Sequence, residues 1–492
     1  MKAAGTVADR LRAALPPGES GDFDISAADR IGVPVVAADW TGDAPRYFGI
    51  GYGATVEQAR IGAYGELLEG LLLNRHVRMH TPRRATYAQL RREVGPDAVV
   101  DPRALVLPAG IVLHDEQPRD WLPAVRWRTG ETVLLPAEFC VSSDVESPWQ
   151  DPAERLITSI TNGEGAGDTP ERAVAHGLLE LLQRDGNATA FRAMDRGEVL
   201  SLDAVRDPVT LAVLDRMRDA GLEVLAKLAS TQFGMADVHV VGWDIDAGTD
   251  PDVEPLAVTG CGEAVHPDRE VALRKALLEY ASSRSRKVFM HSPLKRVRPL
   301  APEAYWEREL AHPVPAQEQR ALDAMRDWAR RTPAELLALL APRVLSRRST
   351  TPFSALPTVA PGLLDDPPAL LAELLTRLHE FDVLVVLARG DGFTGDGVVA
   401  AKVIVPGLEV ETMSYGRIAH RGVAKLLERG SDLVGLGAPP RPGTAAVVLT
   451  EAGTEQLGGP AWLDLDGVAR VVGSLYPLYR EPTRHALARS AP

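Results

Sequence analysis

The sequence predicts an α/β chain of the α+β kind, built on three turn-and-helix repeats and carrying a helical insertion. Three observations predict it. A turn followed by a helix recurs three times along the chain. HEFDVLVVLARGD, His379 to Asp391, contains a continuous apolar run and reads as a buried strand. The 492 residues, 45% of them hydrophobic, can fill one large α/β unit or two to three ordinary domains.

The repeat is the most informative feature. GYGATVEQARIGAYGELLEG, from Gly51 to Gly70, aligns with GAGDTPERAVAHGLLELLQR, from Gly165 to Arg184, at an offset of 114 residues. Gly53 meets Gly167, Thr55 meets Thr169, Glu57 meets Glu171, Ala59 meets Ala173 and Glu66 meets Glu180. A weaker third copy, HPDREVALRKALLEYASSR, puts Glu270, Ala272, Glu279 and Ser282 in the same places. Each helix has a local start signal. Thr55 with Gln58 makes a capping box, Thr169 is an N-cap followed by proline, and Asp268 caps after Pro267. Apolar residues such as Ala173, Leu178, Leu181 and Leu182 then recur at helical spacing and bury one face.

The acids follow from that register. Glu66 and Glu69 are three apart and share a helix face, as do Glu180 with Gln183 and Glu279 with Ser282. Six positions on three equivalent helices can converge on one site, and carboxylates from several helices are a common way to hold Mg²⁺ against phosphate oxygens. The alternative is that these are ordinary solvated surface acids. TNGEGAG, Thr161 to Gly167, offers backbone N–H groups ahead of a helix and reads as a phosphate cradle or simply a tight connection. It matches neither the Walker A pattern nor the dinucleotide fingerprint.

Bulk properties narrow the class. A net charge of −13 argues against nucleic acid and against an anionic membrane surface as partners. Two cysteines, Cys140 and Cys261, make neither a disulfide framework nor a four-thiolate metal site, and read as reduced thiols. Asp9, Arg10 and Arg12 interrupt any apolar signal segment, and no run approaches the ~18 apolar residues that span a bilayer. The expected compartment is the cytoplasm. His176, His266 and His420 lack metal-ligand spacing, so no zinc site is assigned. Trp243, Trp306 and Trp328 read as packing residues.

In order and spacing, the three segments resemble the nucleotide-binding signatures of the YcaO family, ATP-dependent enzymes that activate peptide backbone amides. TNGEGAGDTPERAVAHGLLELLQRDG is the nearest to the family pattern, with Asn162, Gly163, Gly167, Thr169, Glu180, Arg184 and Asp185 in place. IGVPVVAAD, Ile31 to Asp39, is similar to the family's first strand, and AAKVIVPGLEVE, Ala400 to Glu411, to its late strand and Pro-Gly turn. The resemblance implies a YcaO-like domain over residues 25–435 with a helical insertion at about 296–350, an N-terminal extension 1–24 and a C-terminal segment 436–492. It implies ATP and Mg²⁺ as cofactors. Glu66, Glu69, Glu180, Gln183 and Glu279 would lie at the metal, and Asn162, Gly163, Glu180, Arg184 and Arg284 at the nucleotide. No catalytic residue is assigned.

Several positions depart from the family. Tyr52 stands where a lysine is usual, Gly62 for a serine and Gly70 for an arginine. Gln183 replaces a metal-binding glutamate and Ser282 a glutamine. Glutamine keeps an oxygen ligand and loses a charge, so a second metal should bind more weakly. Arg417 and Arg421 sit where the family often has a phosphate-contacting arginine, and read instead as surface cations. The implied reaction is phosphorylation of an amide oxygen, most commonly for cyclodehydration of Cys, Ser or Thr to an azoline on a ribosomally made precursor peptide. Thioamide or amidine formation is the alternative chemistry. A separate leader-binding partner protein is expected to deliver the peptide, and a homodimer is left open. The rival class is a non-catalytic scaffold that binds a partner enzyme or the precursor.

Overall fold

Each repeat folds as a strand that turns into a helix. The pairs are β1 (Tyr47–Tyr52) with α1 (Val56–Met79), β2 (Glu164–Gly167) with α2 (Pro170–Asn187), and β3 (Cys261–His266) with α3 (Arg269–His291). The computed structural model describes residues 6–42, 46–142, 151, 154–189, 192–249, 253–258, 260–315, 318–390, 397–410 and 416–489. The start signals work as their chemistry requires. Thr55 accepts the Gln58 N–H while Gln58 accepts that of Ala54. Thr169 accepts from Arg172 with Pro170 in the first turn, and Asp268 accepts from Glu270.

Strand and helix are held close by residues without bulk. A Cβ on Gly51 would stand 2.0 Å from the Ala59 carbonyl oxygen, and one on the equivalent Gly165 2.1 Å from that of Ala173. Gly49 and Gly262 meet the Ala63 and Ala276 carbonyls in the same way, at 2.2 and 1.9 Å. Ala59, Ala173 and Ala272 have no exposed surface, so the periodic small positions are the seam on which each helix lies.

The chain forms two compact units. The first comprises Met1–Leu67, Ala190–Pro361 and Val472–Pro492. It holds an antiparallel sheet of Gly18–Asp24, Val35–Gly42 and β1, and a five-stranded sheet in the order β3, Ala236–Asp244, Leu222–Ser230, Glu198–Ser201, Ser349–Pro352. Residues expected to be an N-terminal extension thus supply a strand, with Asp24 paired to Val36. The insertion region carries helices Glu303–Ala311, Gln319–Arg330 and Pro333–Leu340. Trp306 and Trp328 are buried, and the Trp328 indole donates to the Ser474 carbonyl.

The second unit comprises Leu68–Thr189 and Gly362–Val471. Its main sheet runs Arg83–Thr86, Pro118–Arg126, Leu384–Arg389, Val399–Ile404, β2, with Thr132–Pro136 beside Pro118–Arg126. The apolar run at 379–391 contributes Leu384–Arg389; Asp391 lies outside the described residues, as does Glu411 of the late strand segment. The Pro-Gly turn follows Val399–Ile404, with Gly407 at φ +90°. In all three repeats the strand stands at the end of its sheet's hydrogen-bonded order. Among the described residues no helix is long and apolar enough to cross a membrane.

Candidate functional site

One contact recurs in all three repeats and explains why the first glutamate of each helix is where it is. Glu66 Oε2 accepts the Ile50 N–H at 2.7 Å, and Glu279 Oε2 that of Glu263 at 2.6 Å. Glu180 Oε2 accepts from Gly163 at 3.2 Å and Glu164 at 3.3 Å. Donor and acceptor are sixteen residues apart in every copy, counting from Ile50, Glu164 and Glu263. A glutamate on the helix reaches back to the strand that precedes it, which fixes the carboxylate plane.

In the first unit, Glu66 and Glu279 both act on Tyr52. Burial first, then the Glu279 and Glu66 carboxylates, holds the phenol's pKa well above its usual value. Tyr52 is therefore neutral, where the family's lysine would bring a charge. Ser282 is buried. Arg284, expected at the nucleotide, is engaged in the core instead. It is 1% exposed, and all three guanidinium nitrogens donate to Asp29 and Asp244, at 2.8 to 3.2 Å. Arg30 shares Asp244 at 2.8 Å. Two buried carboxylates demand a planar, multi-donor cation, and that demand engages the guanidinium fully.

In the second unit, Glu69 Oε1 accepts the Ala166 N–H at 2.9 Å and faces His176 Nδ1 at 3.6 Å, which sets α1 against the β2–α2 repeat. Gly163 adopts φ +76°, and a Cβ there would lie 2.2 Å from the Val403 carbonyl oxygen, so glycine is required. Arg184 lies one turn beyond Glu180 with Nη2 3.4 Å from Oε1. Burial raises the Glu180 pKa, opposed by Arg184 and Lys402. Gln183 is half-buried on the same helix. Asn162 and Leu181 line a cavity with Phe139, Lys402 and Arg417.

Sequence reasoning missed one anchor here, Lys402, and gave the motif residue Asp185 no role. Lys402 is buried and donates to Ser142 and the Ile160 carbonyl, both at 3.0 Å, so it supports the loop that carries Asn162. Asp185 is fully buried; it accepts from Glu409 N–H, Arg421 and Lys425. Arg417, expected at the surface, is 4% exposed instead. Its guanidinium donates to the Val106 and Leu105 carbonyls at 2.8 and 3.2 Å, which satisfies backbone oxygens that would otherwise be buried unpaired. Cys140 and Cys261 are free thiols, and burial pushes them up to about 12 and about 11 respectively, so both stay protonated at neutral pH.

The donor set bears on Mg²⁺. Carboxylate and amide oxygens are the hard ligands this ion takes. A main-chain N–H on one oxygen of each first glutamate orients the carboxylate as the outer shell of a metal site does. The residues fit the ion. Among the described residues no three His, Cys, Asp or Glu are gathered to hold a metal unaided, and Mg²⁺ keeps water and phosphate ligands of its own.

A sequence model of the family described as YcaO cyclodehydratase, ATP- and Mg²⁺-binding, matches residues 50–409. The chain belongs to the YcaO family. ATP and Mg²⁺ are thus the cofactors of its family, as the motifs implied. Among its relatives, an uncharacterised protein of Methanothermobacter thermautotrophicus is 30% identical over 271 residues, 54% of this chain and 65% of that one. An uncharacterised protein of Mycobacterium tuberculosis is 26% identical over 270 residues, 55% of this chain and 57% of that one. The match therefore spans less than two thirds of either relative's length.

Two solved structures share the YcaO fold. YcaO from Methanopyrus kandleri, bound with AMPPCP and Mg²⁺, superposes with a TM-score of 0.53 at 21% identity, over 81% of this chain and 88% of that one. A heterocyclase in complex with substrate and cofactor gives a TM-score of 0.56 at 17% identity, over 79% of this chain and 50% of that one.

Proposed function

We propose that this YcaO protein uses ATP and Mg²⁺ to activate a peptide backbone amide by O-phosphorylation, cyclodehydrating Cys, Ser or Thr of a ribosomally made precursor peptide to an azoline. Thioamide or amidine formation uses the same activated amide. The observation that carries the reading is the pinned carboxylate of Glu180 beside the Asn162–Gly163 loop and Arg184. Glu66, Glu69, Glu180, Gln183 and Glu279 are each proposed as oxygen ligands of Mg²⁺.

When bound, Mg·ATP supplies the phosphoryl group that turns an amide oxygen, a poor leaving group because of amide resonance, into a good one. The chain's own residues bind and position. Pinned carboxylates need no reorientation to meet a cation, and Arg184 offers a fork of donors to phosphate oxygens. Tyr52 offers a proton-bearing oxygen without charge. The peptide is delivered by a separate leader-binding protein in this reading.

A scaffold role is favoured by one specific observation: Tyr52 and Gln183 are neutral where a cation and an anion would strengthen nucleotide and metal binding. Calorimetric titration with a methylene-bridged ATP analogue, with and without Mg²⁺, separates the readings. Glu180→Gln keeps an acceptor for the Gly163 and Glu164 N–H groups while removing the charge. The expected result is Mg²⁺-dependent binding by the wild type, weakened about tenfold or more in Glu180→Gln. Absent or Mg²⁺-independent binding in the wild type would sink the enzymatic reading and leave the scaffold.

A further inference from the structure

We propose that Arg286, positioned by Glu481 of the C-terminal segment, is the arginine of the third repeat that takes the terminal phosphates of the nucleotide. The inference rests on the Mg·ATP reading above.

Helix geometry separates the two arginines of α3. From Glu279, Arg286 is seven residues along and returns to within about 20° of the same face, with Ser282, three residues along, about 60° away. Arg284 is five residues along, about 140° away. The contacts agree with the angles. The Arg284 side chain is 1% exposed and saturated by Asp29 and Asp244, whereas that of Arg286 is 42% exposed. In the second repeat the cation Arg184 is four residues from Glu180 and also on its face. Ser283 holds that place in the third repeat, and Arg286 restores the charge less than one turn later.

Arg286 is held from outside the segment that the family signatures cover. Its Nη2 donates to Glu481 Oε1 at 3.0 Å, and His291 Nε2 lies 2.9 Å from Glu481 Oε2. Glu481 is thus a two-pronged anchor at the end of α3, contributed by Val472–Pro492. Burial opposes ionisation of Glu481, but Arg286, His291 and Lys287 outweigh it and hold its pKa far below the usual carboxylate range. Glu481, and more weakly Glu66 and Glu279, raise that of Arg286 against the cost of burial. Arg286 Nε has no hydrogen-bond partner among the described residues. A partly exposed guanidinium on the face of Glu279, tethered through one nitrogen to Glu481, is suited to a metal-bridged phosphate. Because Tyr52 supplies no charge, Arg286 supplies the cation on this face.

The test uses the full chain and two probes: the methylene-bridged ATP analogue with Mg²⁺, and AMP, which lacks the terminal phosphates. Arg286→Ala is expected to weaken analogue binding about 30-fold and AMP binding less than about 3-fold, a difference that a purely structural defect would not produce. Arg286→Lys, which retains the charge and a donor for Glu481 but not the fork, is expected to lose about 5- to 10-fold. Glu481→Gln should cost about 5-fold, and the double variant with Arg286→Ala no more than Arg286→Ala alone.

Unchanged analogue binding in Arg286→Ala, with Glu180→Gln still weakened, overturns this assignment and leaves the nucleotide reading intact. Equal losses for analogue and AMP overturn the terminal-phosphate contact. Additive effects of the Arg286 and Glu481 changes overturn the positioning role. If the wild type binds no analogue, the nucleotide reading falls and this inference with it.

Discussion

The second and third repeats start from the same strand–turn–helix plan and end with their charges deployed in opposite ways. On α2 the cation beside Glu180 is Arg184, 27% exposed and touching its own helix's glutamate at 3.4 Å. On α3 the arginine that matches the family motif is Arg284, which is locked between Asp29 and Asp244, while Arg286 keeps the face of Glu279. A motif position and a helix face are different things. The motif places an arginine in the right stretch of sequence; the 3.6-residue period decides whether it faces a ligand or the core.

The largest effect should come from breaking the buried side of that contrast. Arg284→Ala leaves Asp29 and Asp244 buried, with Arg30 as the remaining partner of Asp244. A buried charge network that loses one member typically costs about 3–5 kcal/mol. Chemical denaturation should show a loss of that size, with the first unit the more affected. Arg184→Ala, at a half-exposed position, should cost less than about 1 kcal/mol. If the two variants were equally stable, the division into a core arginine and a facing arginine would not hold.

How far the sequence could be read follows the same line between local and distant causes. The three helices and their caps were legible because Thr55, Thr169 and Asp268 act on residues two or three positions away. The contact of Glu180 with Arg184 was legible because both lie on one helix, four residues apart. The sixteen-residue link from strand N–H to glutamate was present in the repeat but needed the strand positions to be seen. Arg417 was misjudged because the carbonyls it satisfies, at Leu105 and Val106, lie more than three hundred residues earlier. The role of residues 472–489 was equally hidden, since Glu481 acts on Arg286 and His291 across 195 and 190 residues.

A second effect sharpens the contrast by pH. The C-terminal segment also sets His485 against α3: its N–H donates to the Met290 carbonyl and its ring meets Phe289 edge-on at 5.2 Å. Nε2 is 2.8 Å from the Tyr305 hydroxyl. Burial first of all, aided by Arg484, His291 and Arg489 and opposed by Glu309, pushes the His485 pKa down to about 3. The unfolded chain therefore binds a proton below pH ~6.5 that the folded chain refuses, and stability is lost as pH falls through that window. From pH 7 to 5 the loss from this group is about 2 kcal/mol. His485→Asn should remove about one proton from the pH dependence of unfolding; an unchanged slope would mean that His485 does not sense acid.

The smallest effect concerns the facing side of α2. Gln183 occupies the position three residues beyond Glu180, where the family has a carboxylate. It is half-buried, so a charge introduced there is partly solvated and is attracted both to Arg184 on the next position and to a cation held by Glu180. Against this stands the repulsion between Glu180 and a new carboxylate one turn away, which a bound Mg²⁺ would relieve and an empty site would not. Gln183→Glu should therefore be slightly less stable without metal, by about 0.5 kcal/mol, yet bind Mg²⁺ with the ATP analogue about 3- to 10-fold more tightly. The opposite signs of the two changes are the point of the measurement. A variant that lost stability and gained no metal affinity would show that α2 presents its glutamate to solvent rather than to an ion.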